Sequence, residues 1–363
     1  MPKYALRYAP LFILALLLIP VDIYFTTGTK QYPVSSYDQL SSPFRPGTAL
    51  YGVAQLSPGE AWAVGGSFAA QCEAQNKTHC LAVPTGGTIL HYSQNAWAVA
   101  GNAQEPLLSM SLDSPHDGWA VGYLGTLVHY DGNNWSTVPG PAHFNQSLYG
   151  IAMLSPSDGW AVGNSGSILH YDGRQWTPVP SPTAFDLRSI AMPSAQEGWA
   201  VGVNGTILHY LNGTWQSSNS STRNTLNNVS MLSPDEGWAV GEQNTILHYR
   251  AEDGIWEPVV SNPHLDRLAN LYGVSMSSVR SGWIIGEQRF LTYQSEAWTI
   301  VDKLPTISVK DSNVDFSTLN LYSIALSRAG EGWAVGSTSI AGSGIIVILH
   351  YQGGTWSVSL NGS

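Results

Sequence analysis

Charge is scarce in this chain. Only 11% of its 363 residues are Asp, Glu, Lys or Arg, and 25 acidic side chains outweigh 15 basic ones. So few cations exclude nucleic acid as the main partner, because phosphate contacts need a basic surface. Cysteine is nearly absent: Cys72 and Cys80 are the only two, which excludes a multi-bridge disulfide scaffold and a four-cysteine zinc site. No segment outside the N-terminus carries a helical apolar period, so the helical solenoids are excluded as well.

Tryptophan is abundant, and all fourteen fall into one pattern. Trp62, Trp119, Trp160, Trp199, Trp238, Trp283 and Trp333 each open Trp-Ala-Val-Gly, or Trp-Ile-Ile-Gly at Trp283. Trp97, Trp135, Trp176, Trp215, Trp256, Trp298 and Trp356 follow them one by one. A period of roughly 40 residues marks propeller blades or solenoid coils. The unit from Leu148 to Pro180 has no insertion and reads as four short strands: Leu148 to Leu154, Trp160 to Gly163, Ser167 to Tyr171 and Trp176 to Val179, separated by Gly, Asp, Asn and Ser turns. Seven such units predict an all-β, seven-bladed propeller of four-stranded antiparallel blades. The blades are expected near 50–106, 107–142, 148–183, 187–222, 226–262, 271–305 and 319–360. Each unit is complete in sequence order, so closure needs no borrowed strand; the segment from Tyr32 to Tyr37 is a candidate extra one.

The propeller thus spans residues 50–360. Ahead of it, residues 26–49 are rich in Ser, Thr, Pro and Gly and read as a flexible tether. Residues 1–25 read as one hydrophobic helix, in which Lys3 and Arg7 precede an apolar run that Asp22 interrupts. The run is shorter than the ~20 residues of a typical span, as in a signal peptide. No Ala-x-Ala site follows, so an uncleaved membrane anchor is preferred; under either reading the propeller is exported from the cytoplasm. An oxidising compartment suits a disulfide between Cys72 and Cys80, eight positions apart within an insertion.

Repeated residues are tested first for chemistry. His91, His129, His170, His209, His248 and His350 recur in the third strand, with Thr292 in the seventh place. At ~4.8 Å per strand, third strands lie roughly 15 Å from the axis, too far apart for one metal. These histidines are expected to pack in the blades, their ring nitrogens bonded within or between them. Met110, Met153, Met192, Met231 and Met276 are read as inter-blade core. Glu60, Asp117, Asp158, Glu197, Glu236 and Glu331 precede the first tryptophans and are read as solvated turn residues bonded to local amides. No catalytic constellation stands out, so the expectation is a protein that is not an enzyme and carries no cofactor or metal.

The succession Trp-Ala-Val-Gly, Gly-Thr-Ile-Leu (Gly205 to Leu208) and Asp-Gly-x-x-Trp (Asp131 to Trp135, Asp172 to Trp176) resembles the propellers of the photosystem II assembly and stability factor family. More distantly it is similar to sialidase-type Asp-box repeats. The resemblance covers all seven units. It implies a propeller that binds a membrane-protein precursor, and no site residue is carried over. His-Tyr stands where Asp-box repeats carry Ser or Thr, Asp is replaced in four units, and the ten arginines form no assignable sialidase triad.

Insertions break the symmetry. From first tryptophan to third-strand tyrosine the spacing is eleven positions in four units, but 30 from Trp62 to Tyr92 and 18 from Trp333 to Tyr351. The longest link between blades, 302–318, leads into the same blade pair. These three expansions predict a partner-binding sector on one face, with Asn76, Lys77, His79, Lys303, Lys310 and Asp311 as its candidate residues and the Cys72 to Cys80 loop as a rigid finger. Trimming Gly66 to Thr85 should leave a folded propeller without its partner. The expected partner is a membrane or envelope protein; the second reading is a glycan-binding or sialidase-like propeller.

Overall fold

In every repeat the tetrapeptide Trp-Ala-Val-Gly, or Trp-Ile-Ile-Gly at Trp283, lies on the second of four antiparallel strands, and its glycine backs onto the start of the first strand. The computed structural model describes residues 48–73, 76–259, 268–301, 308–309, 312–313, 319–340 and 343–359, with side chains except at 69–83, 308–313 and 339–344. A Cβ on Gly202 would collide with the carbonyl oxygen of Asp186 and the Cα of Leu187, and the six equivalent glycines meet the same stretch of their own blades.

Seven four-stranded sheets, each in simple sequence order, span 48–103, 107–137, 148–178, 187–218, 226–258, 271–300 and 320–358. These are blades 1 to 7, at the places the tryptophan period predicts. First strands of neighbouring blades touch all round the ring, so the first strand of each blade is innermost. Its inward edge pairs with no named strand among the described residues, and side chains of the preceding blade take over part of that bonding. Val53 N–H donates to Ser323 Oγ at 3.2 Å, Met153 N–H to Ser111 Oγ at 3.0 Å, and Val274 N–H to Asn228 Oδ1 at 3.1 Å.

The core is divided into seven clusters, one at each blade interface. Each contains a first-set tryptophan set edge-on to the second-set tryptophan of the next blade, such as Trp199 to Trp256 at 5.4 Å and 83°. Trp333 of blade 7 meets Trp97 of blade 1 in the same way, at 5.0 Å and 88°. The ring therefore closes by side-chain packing, and blade 1 and blade 7 are each built from consecutive strands.

Two expectations change. The insertions in blades 1 and 7 are strand extensions: Glu60–Glu73 pairs with Asn76–Ser93, and Gly332–Ile340 pairs with Ser343–Gln352, well past the point where other blades turn. They form two hairpin arms on one face. Met110 is also out of step with the other four methionines. It occupies the position of Ile151, and Leu112 takes the methionine's place over the glycine that precedes the tryptophan. The proposed N-terminal helix, the tether up to residue 47 and the 32–37 segment lie outside the described residues. Among those described, no helix is long and apolar enough to cross a membrane.

Candidate functional site

The repeated polar residues pair with each other. The His170 ring lies 4.3 Å from Trp160 and its Nε2 is 2.9 Å from Asp158, on the turn before that tryptophan. The same histidine–carboxylate contact recurs between His91 and Glu60, His129 and Asp117, His209 and Glu197, His248 and Glu236, and His350 and Glu331, at 2.8–3.3 Å. The acids are thus bound to histidine instead of serving only as solvated turn residues. The sequence carries a signal for this: in blade 6 both partners are lost together, with Ser281 and Thr292 in their places. Register explains the contact, since tryptophan and histidine are direct cross-strand neighbours and the acid lies two residues before the tryptophan. Asp131 and Asp172 have a separate structural task, each accepting two backbone N–H bonds within its own turn at 2.8–2.9 Å. Those bonds hold both carboxyls below the usual range.

Blade 2 carries one irregular acid on this turn face. Asp113 stands where blades 1, 3 and 5 have Leu56, Leu154 and Leu232. Burial raises its pKa, and the neighbouring Asp117 carboxylate raises it further. An acid whose folded pKa is raised weakens the fold above its unfolded pKa, and the penalty fades as pH falls through that value. Asp113→Leu should therefore raise stability by about 0.5–2 kcal/mol at pH 7. Thermal melts at pH 7 and pH 4 should show the gain shrinking at the lower pH.

The opposite face departs most from sevenfold symmetry. Each innermost strand has a register shift near its start, and the bulged residue is Tyr51, Leu108, Tyr149, Arg188, Asn227, Tyr272 or Tyr322. A bulge re-aims one side chain. The leucine just before it never varies, while the bulged position holds four residue types. Tyr272, Tyr322 and Tyr51 follow one another across blades 6, 7 and 1, with ring centroids 5.4 and 5.3 Å apart. Phe68, at the base of the blade 1 arm, carries the contact on to Tyr51 at 6.3 Å and to Tyr123 of blade 2 at 5.2 Å. The result is an aromatic arc around the axial mouth.

The arc ends in a closed polar cluster. Arg188 lies over the Tyr149 ring at 4.8 Å and 3.7 Å from Asp186. Asp186 also accepts from Asn164 Nδ2 and from Ser165 N–H, both at 2.9 Å. The charges of Arg188 and Asp186 are therefore matched locally. Burial pushes the Tyr123 hydroxyl up to about 12, with Tyr149 adding to it and Arg188 opposing. Burial also raises Tyr51 and Tyr149, so these three phenols are neutral at physiological pH.

Of the predicted site residues, Asn76, Lys77 and His79 lie on the returning strand of the blade 1 arm, and Cys72 is the register partner of Cys80. Lys303, Lys310 and Asp311 fall outside the described residues. The arc was hidden in the repeat because tyrosine in a strand reads as packing. The variable position after an unvarying leucine was its available signal. Among the described residues, no group of three His, Cys, Asp or Glu side chains could hold a metal ion.

No family profile matches the chain, and no curated protein matches it by sequence. Solved structures do share the fold. "YCF48 bound to D1 peptide" is 17% identical with a TM-score of 0.61, covering 84% of this chain and 92% of that one. "YCF48 from Cyanidioschyzon merolae" is 15% identical with a TM-score of 0.60, covering 85% and 97%. The WD40 propeller domain of Doa1 is 11% identical with a TM-score of 0.61, covering 87% and 96%. At these identities the likeness establishes the propeller fold alone.

Proposed function

We propose that this protein is a non-enzymatic binding scaffold, tethered to the membrane by its N-terminal segment with the propeller outside the cytoplasm, that assists assembly or stability of a membrane or envelope protein complex. The observation that carries this reading is the concentration of departures from the repeat on one face: two hairpin arms on adjacent blades and an aromatic mouth beside them. A symmetric scaffold varies where it meets something asymmetric. A propeller of the same fold bound to a peptide, the structure described as YCF48 with D1 peptide, supports a polypeptide as ligand. The register of Cys72 with Cys80 supports a disulfide bracing the blade 1 arm, which intact-mass measurement would register as a gain of two hydrogen atoms when a reductant supplies two electrons and two protons.

The second reading, a glycan-binding or sialidase-like propeller, draws on the mouth aromatics. Against it, Asp186 is already engaged by Asn164, Ser165 and Arg188. Crosslinking in intact cells followed by mass spectrometry should recover a discrete membrane or envelope protein with the full-length chain. Recovery of none, together with binding on a glycan array, would favour the second reading.

A further inference from the structure

We infer that charge turns the arm face of the propeller toward an anionic lipid surface and its turn face toward water. This deepens the scaffold reading and rests on its membrane tether.

Charge is divided unevenly between the two faces. The turn face holds the turns between first and second strands and the hairpins between third and fourth; the arm face holds the turns between second and third strands and the links between blades. The six carboxylates paired with histidine lie on the turn face, together with Asp113, Asp131, Asp172, Asp235, Glu252, Asp253 and Glu296. Among the described residues, the arginines there are Arg174, Arg250, Arg280 and Arg328. On the arm face Glu105, Asp186, Glu242 and Glu287 are nearly matched by Arg188, Arg223 and Arg289. The charged residues of 48–359 outside the described side chains number five acidic and four basic, so the imbalance stands wherever they lie. A body this polarised turns in a field, and an anionic bilayer repels the turn face over about 10 Å.

The chain also enters on the arm face. Thr48 opens the first strand of blade 1 opposite Ser67, at the base of the arm, so an N-terminal anchor draws this face toward the bilayer. Two departures from the repeat fit a lipid neighbour. Leu124 has φ +51° and is 58% exposed, in the turn where blades 3 and 4 place Ser165 and Asn204. Leucine is disfavoured in the left-handed region and gains no packing there in water. Phe185 is 49% exposed two residues before Leu187, where neighbouring links carry Gln146 and Asn224. Leu211, Ile255 and Val279 are exposed on the turn face, so apolar exposure alone does not choose between the faces. Charge does, since carboxylates such as Glu252 and Asp253 stand beside Ile255 and keep anionic lipid away.

The test uses the full-length chain in vesicles of phosphatidylcholine and phosphatidylglycerol, floated to confirm attachment. Benzoylphenylalanine is placed at Leu124 on the arm face or at Leu211 on the turn face, and phospholipid adducts are measured by mass spectrometry after irradiation. Leu124 should give about ten times the adduct of Leu211, a ratio that falls as salt screens the field. Reversing four exposed turn-face carboxylates together, Asp235→Lys, Glu252→Lys, Asp253→Lys and Glu296→Lys, should lower the ratio about threefold or more. A thermal melt confirms that this variant folds, and the salt series decides alone if it does not. Adduct that is equal at the two positions, greater at Leu211, or absent from both in floated protein overturns the inference and spares the tether. So does a ratio unmoved by salt, or by charge reversal in folded protein. A chain that does not float with the vesicles overturns both.

Discussion

Trp333→Ala should destabilise the propeller by about 3–5 kcal/mol, the range for emptying a large aromatic site in a core, and lower Tm by about 10 °C. Trp333 is 0% exposed and has Tyr92, Trp97 and His350 against its ring, with centroids at 4.4, 5.0 and 4.0 Å. Tyr92 and Trp97 belong to blade 1, so the tryptophan sits where the ring closes. No strand is shared across this interface among the described residues, so side-chain packing carries the closure. Hydrogen exchange should accelerate first in Thr48–Ser57 and Gly332–Ile340, with Leu187–Ala191 on the far side least affected. A uniform rise in exchange would show that closure is no weaker than the other six interfaces.

Gly202→Ala should be comparably severe although it adds a single methyl group. The new Cβ would meet backbone atoms of Asp186 and Leu187, which cannot rotate away as a side chain could. Relief requires moving the innermost strand of blade 4, which carries Arg188 and borders blades 3 and 5. A loss of about 3 kcal/mol or more is expected, above the usual cost of overpacking because the clash is with main chain. Gly140→Ala provides the contrast. That position is exposed, and its Cβ would make only ordinary contact, 3.5 Å from Leu127 Cδ1. Urea titrations of the two variants should differ in midpoint, with Gly140→Ala within about 0.5 kcal/mol of the parent.

The fold was legible because every blade repeats the same physical problem. A tryptophan must reach the next blade and a glycine must admit its own first strand, so both recur wherever the backbone does. The histidine–carboxylate contact was half legible: each residue type was visible in its column, and the joint loss at Ser281 and Thr292 linked the columns. The arms read as loops in the sequence because they lengthen the tryptophan-to-tyrosine spacing without repeating the blade pattern, yet antiparallel pairing continues through both. The mouth was the least legible part. Which residue a bulge re-aims depends on the register of two strands, and no single-strand pattern distinguishes Tyr51 at the axis from Tyr92 at a blade interface.

Binding through the arm face is tested most directly by replacing residues 68–84 with a short turn. The cut leaves the Ser67 and Thr85 hydroxyls, 2.7 Å apart, to clasp the base of the shortened hairpin. Recovery of the crosslinked partner from cells should then be measured beside the full-length chain, with thermal melts of both. Melts within about 2 °C of each other and at least a tenfold loss of partner are the predicted result. A folded, trimmed propeller that recovers its partner as efficiently as the full-length chain would contradict it.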